Sequence, residues 1–114
     1  MSAEIFHLAT PHAWQAAQSE GELRPASLEV EGFVHCSTPE QLVGTIERHF
    51  AGVDELVLLR LDAPSLDGDL RWEESRPGER FPHVYRAIAV SEVVAAVPWQ
   101  RTADGSVALP PGVG

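Results

Sequence analysis

Glu4-Ile5-Phe6-His7-Leu8 is the first apolar stretch of the chain and reads as a strand. Thr10 is a capping residue with Pro11 at the first helical position, and Gly21 is a stop, so a helix is expected between them. Ala13, Trp14 and Ala17 make its apolar stripe. A loop holding Pro25 leads to a strand over 33–36. Thr38-Pro39-Glu40-Gln41 combines a cap, a proline at N1 and a capping-box partner at N3. Leu42, Val43, Ile46 and Phe50 follow at helical spacing, which predicts an amphipathic helix over 39–50. Residues 55–61 are almost continuously apolar, as in a central strand covered on both faces. Pro64, Gly68 and three aspartates form the next loop. Strands over 70–74, 81–88 and 93–99 follow, with a turn at 76–80 and a tight turn or short helix from Ser91-Glu92. Two early helices and mostly late strands predict an α+β fold.

The 114 residues suit one domain, expected over 1–103, with the Gly- and Pro-rich 104–114 as a loose tail. An apolar share of 44% and a charged share of 22% are those of an ordinary globular protein. No apolar run approaches the roughly 20 residues of a membrane span. Met1-Ser2-Ala3-Glu4 lacks the basic start and apolar core of a secretory signal. A single cysteine, Cys36, excludes an internal disulfide, so a cytoplasmic location is expected. The net charge is −9 and every basic residue is an arginine. That balance argues against nucleic-acid binding, which needs many cationic contacts. It leaves room for one small phosphorylated ligand, which a single arginine can hold. The oligomeric state is not legible in the sequence.

Strand alternation sorts the polar residues that fall inside apolar segments. Phe33, His35 and Ser37 share one face, with Val34 and Cys36 on the other. His83 and Tyr85 lie with Phe81, and His7 lies with Ile5. Three histidines thus have the parity to line one cleft, with Ser37, Tyr85 and the carboxylates Glu73 or Glu74, between walls of Phe33 and Trp72. A lone strand histidine is ordinarily a structural residue bonded to a carbonyl, and it is the coincidence of three that suggests a site. His12 and His49 read as helix-surface residues and Cys36 as a small core residue. Arg76 and Arg80 flank a turn and read as water-facing, yet they are the best-placed anion contacts. No closely spaced ligand pair advertises a metal, and Ser37 lacks the elbow of a nucleophilic serine.

Taken together, Gly32-Phe33-Val34-His35-Cys36-Ser37, Trp72-Glu73 and Phe81-Pro82-His83-Val84-Tyr85 resemble the signature of the bacterial domain-of-unknown-function family 952. The resemblance runs from Ile5-Phe6 to Val93-Val94, and places signature positions at Gly32, Phe33, His35, Ser37, Glu73, Phe81, Pro82, His83 and Tyr85. His7 matches only in part. It implies two small, mainly antiparallel sheets around a cleft with flanking helices, similar to the ADP-ribosyltransferase superfamily, whose cleft holds NAD as substrate. On that resemblance Glu73 is the carboxylate facing positive charge on the ribose, with His35 and His83 as the other catalytic positions. His35 or His7 would hold ribose hydroxyls, Phe33 or Tyr85 would pack on the nicotinamide, and Arg80 would meet the diphosphate, with Ser37 as a further substrate contact. Three readings follow. One is a nucleotide-binding protein that transfers or hydrolyses ADP-ribose. Another is a non-catalytic ligand- or partner-binding domain. The last is a metal-dependent hydrolase using His7, His35 and His83.

Overall fold

The computed structural model describes residues 4–113. Its scaffold is the strand β4 (Glu55–Leu61), flanked antiparallel by β1 (Ile5–Ala9) and β8 (Val93–Gln100). Leu56 and Leu58 point to one side, with Phe6, Leu8 and Trp99. Val57, Leu59 and Leu61 point to the other, with Ile5, Val34 and Cys36. Both faces of β4 are therefore covered, and its sequence is apolar at nearly every position rather than at alternate ones.

Helix α1 (Pro11–Glu20) starts and ends as its sequence predicts. The Thr10 hydroxyl accepts from the Ala13 N–H at 3.1 Å, and Gly21, at φ 88°, returns its N–H to Ala17. Helix α3 (Leu42–His49) is shorter than the expected span, because Pro39–Gln41 forms a 3-10 turn. Gln41 still closes that turn by accepting from the Thr38 N–H at 3.0 Å. Leu42 and Ile46 anchor α3 in the Phe6 core.

The segment expected to be a loop around Pro25 holds two elements. They are β2 (Glu22–Leu23) and a five-residue helix, α2 (Ala26–Val30), which packs only Leu28 against the core. A third strand set, in the order β3-β6-β5, comprises β3 (Val34–His35), β5 (Leu70–Arg76) and β6 (Glu79–Val84). The turn expected over 76–80 narrows to Pro77-Gly78, with Gly78 at φ 78°. The strand expected over 81–88 stops at Val84, where the side chain of Arg86 bonds Asp69, Glu92 and the Ala87 and Ser65 carbonyls. Pairing resumes in β7 (Ile88–Ala89), which joins β2.

Residues 104–113 depart from the expected loose tail. Val107, Leu109 and Val113 pack into the Phe6 core, and the Ala108 carbonyl accepts from the Trp99 indole at 2.9 Å. Their spaced apolar side chains give the segment something to bury, which its Gly and Pro content alone did not suggest. Among the described residues no helix is long and apolar enough to cross a membrane. The fold is α+β with small antiparallel sheets. Phe6 and Ser37 join the first and third sheets by exchanging both backbone bonds at 2.8 Å, and a cleft opens beside that seam.

Candidate functional site

The cleft has a volume of about 980 Å³. One wall is α1, β2 and α2; the other is the end of β3, α3, and the ends of β5 and β6 around Arg76 and Phe81. Leu8, Ala13, Leu23 and Phe81 give it an apolar surface. His7, set there by β1, donates from Nδ1 to the His35 carbonyl at 2.7 Å, which fixes the tautomer and leaves Nε2 as a lone-pair acceptor. Burial holds the His7 pKa below its usual value, so the ring is neutral. His35 also lines the cleft, is exposed, and bonds Glu31 through Nε2 at 3.0 Å. The Ser37 hydroxyl is buried and lies 3.1 Å from that of Thr45.

A second cluster borders the cleft without lining it. His83 pairs across β6 with His35 on one side and Arg71 on the other. Its ring, 4% exposed, stacks under Phe33 with centroids 4.1 Å apart and planes 18° apart. Nδ1 bonds Glu73 at 2.8 Å, and the Tyr85 hydroxyl donates to the same carboxylate oxygen at 2.6 Å. Those two hydrogen bonds, Tyr85 first, hold the Glu73 pKa down, so Glu73 is a carboxylate and His83 Nδ1 carries the proton. The same carboxylate pushes the Tyr85 phenol up. His83 Nε2 is buried and has no hydrogen-bond partner among the described residues.

Alternation put Phe33 with His35 and Ser37, and Phe81 with His83 and Tyr85, but these residues divide between two places. His7, His35 and Ser37 line the cleft, whereas Glu73, His83, Tyr85 and Phe33 form the bordering cluster. Trp72 and Arg80 stand on the back of the β5–β6 hairpin, and Arg80 donates to the Trp72 carbonyl at 3.3 Å. Arg80 is accordingly not in the cleft; Arg76 is. The reason is a bulge: the register shifts between Glu74 and Arg76, which turns Arg76 to the face of Phe81, 4.7 Å from that ring. His49, expected to be a plain surface residue, lines the cleft together with Thr45, four residues earlier on α3. That spacing was the available signal for both. Glu31, also unforeseen, stands four residues before His35 across the Gly32 turn. Cys36 is a core residue as read, and burial pushes its thiol pKa far up.

The metal reading needs His7, His35 and His83 to converge on one point. Among the described residues no three His, Cys, Asp or Glu side chains converge as a metal-holding group.

The neutral His7 has a consequence for pH. Its folded pKa lies below the unfolded value of 6.5, so acid protonates the unfolded chain first and stability falls as pH drops below 6.5. Urea midpoints of the wild type should decline between pH 7 and pH 5, and His7→Asn should flatten that decline. An unchanged slope in the variant would assign the effect elsewhere.

The family model described as "protein of unknown function (DUF952)" matches residues 8–96. The X-ray structure of protein CC0527 from Caulobacter crescentus is similar, with 39% identity, a TM-score of 0.85, and coverage of 93% of this chain and 94% of that one. The solution NMR structure of CC0527 gives 39% identity, a TM-score of 0.79, and coverage of 90% and 89%. No curated protein matches the chain.

Proposed function

The chain belongs to the DUF952 family, whose function is unknown, and we propose that its cleft binds an NAD-like nucleotide. The observation that carries this reading is the cleft itself. Its volume of about 980 Å³ lies at the upper end of the range for small-molecule sites. Its surface is mostly apolar, with polar groups that include His7, His35, Ser37 and Thr45. Two antiparallel sheets stitched at Phe6 and Ser37 beside a cleft are also what the resemblance to ADP-ribosyltransferases implies.

Transfer or hydrolysis of ADP-ribose would break the nicotinamide–ribose bond and build positive charge on the ribose. A fixed carboxylate nearby lowers that barrier. Glu31, bonded to His35, is a carboxylate on the cleft wall beside an imidazole. Glu73 is held by His83 and Tyr85 in the neighbouring cluster, and would act by fixing those side chains. That displacement of Glu73 favours the second reading, a cleft that binds the nucleotide without cleaving it.

Thermal unfolding with NAD, ADP-ribose and AMP, together with an assay for released nicotinamide, tests both. Ligand at 100 times Kd adds about 2.7 kcal/mol, a shift of several degrees for a domain this size. His35→Ala should keep the fold and lose most of the shift. Stabilisation without nicotinamide release would support the binding reading. No stabilisation by any nucleotide at millimolar concentration would end the proposal.

A further inference from the structure

The two walls of the cleft differ in charge. The α1–α2 wall presents Glu20, Glu22 and Glu31 against a single arginine, Arg24, whose Nε already bonds Glu22 at 2.9 Å. The facing wall presents Arg76 with the hydroxyls of Ser37 and Thr45. Arg76 Nη2 lies 3.5 Å from Thr45 Oγ1, which lies 3.1 Å from Ser37 Oγ. The guanidinium rests against the Phe81 ring, and its carboxylate neighbour, Glu79, stands 3.6 Å from Nη1. A Cβ on Gly44 would lie 3.4 Å from Nη1 and 3.8 Å from Nη2, ordinary contact distances, so α3 packs closely against the guanidinium there.

We infer that Arg76, Thr45 and Ser37 form an oxyanion subsite within the cleft and take a phosphate group of its ligand. The inference rests on the nucleotide reading for the rest of the ligand. A guanidinium fork beside two hydroxyls suits a tetrahedral oxyanion, with charge-assisted bonds from the arginine and neutral ones from the hydroxyls. Glu20, Glu22 and Glu31 elsewhere in the lining disfavour a phosphate beside them, which leaves Arg76 as the favoured place for it. A cationic group at its far end, such as a pyridinium ring, is directed to the glutamates. The bulge at Ser75 creates this arrangement, because without it Arg76 would share the back face with Glu74.

Isothermal titration of the full chain with ADP-ribose, AMP and adenosine reads the phosphate contribution directly. AMP should bind at least about tenfold more tightly than adenosine. Arg76→Gln should weaken AMP and ADP-ribose by about 10–100-fold and leave adenosine unchanged. Gly44→Ala, whose Cβ only reaches contact distance, and Arg80→Gln, outside the cleft, should have no effect. Equal affinity for AMP and adenosine, or an Arg76→Gln variant that retains AMP, would overturn the subsite while leaving nucleotide binding standing. If no nucleotide binds, pyrophosphate decides alone. A thermal shift with pyrophosphate in the wild type that disappears in Arg76→Gln supports the subsite, and no shift in either refutes it.

Discussion

Replacing Arg86 with methionine should cost the domain about 3 kcal/mol, the lower end of what breaking a buried ion pair costs, since the guanidinium keeps some contact with water. Arg86 donates to Glu92 through both Nη atoms at 2.8 Å, to Asp69 through Nε at 2.8 Å, and to the Ser65 and Ala87 carbonyls at 3.0 Å. Glu92, the more buried partner, also accepts from the Ser65 hydroxyl and the Ala89 N–H. The guanidinium above all holds its carboxyl at about 2. Methionine keeps the packing volume but strands that carboxylate, and a second change, Glu92→Leu, should recover much of the loss. The sign with pH follows from the depressed pKa. The stabilisation is complete above the usual carboxylate value of 4.5 and is lost as pH falls toward about 2. Chemical denaturation of wild type and variant should therefore differ at pH 7 and converge in acid. A difference that persisted at pH 2 would mean that Arg86 acts through packing. The network also bears on the site, since the Asp69 backbone carbonyl accepts from the Tyr85 N–H at 2.8 Å, beside the phenol that holds Glu73.

That network also shows where sequence reading stops. Local signals were strong wherever the cause of an element is local. Thr10, Pro11 and Gly21 bracket α1, and the unbroken apolar run over 55–61 identifies the doubly covered strand. Alternation put His35 with Ser37 and His83 with Tyr85, whereas the pairing of His35 with His83 across β3 and β6 is set by the fold. The rest depends on contacts distant in sequence. Arg86 reaches Asp69, 17 residues away, to end a strand that the apolar pattern alone would continue. Helix α2 spans too few residues for a 3.6-residue period to declare itself, and β2 and β7 are two residues each. Arg80 and Arg76 exchanged roles because one bulge reverses parity, and a bulge of this kind leaves no composition signal. Parity also cannot say which part of a shared face lies under the α1–α2 wall, so His35 and Glu73 looked like one site.

Phe6→Ala should be the most damaging single truncation of a cleft residue, at about 3–5 kcal/mol. A domain of this length has roughly 0.05–0.15 kcal/mol of stability per residue, so the loss is a large fraction of the whole. The Phe6 side chain is 0% exposed, packs among Leu42, Ile46, Leu58 and Trp99, and has the Arg60 guanidinium 5.7 Å from its ring centroid. Its backbone meanwhile exchanges both hydrogen bonds with Ser37, and those survive any substitution except proline. The seam between sheets should thus persist while the core beneath it empties. Because Phe6 also borders the cleft, affinity should fall with stability. Phe6→Leu separates the two terms: it keeps most of the buried volume and should cost much less than Phe6→Ala. Urea midpoints give the comparison, with a slope of about 1–3 kcal/mol per molar predicting a shift of at least about 1 M for alanine. A shift below a few tenths molar would show that α3 collapses onto the gap, and that the cleft wall is a movable helix rather than a fixed one.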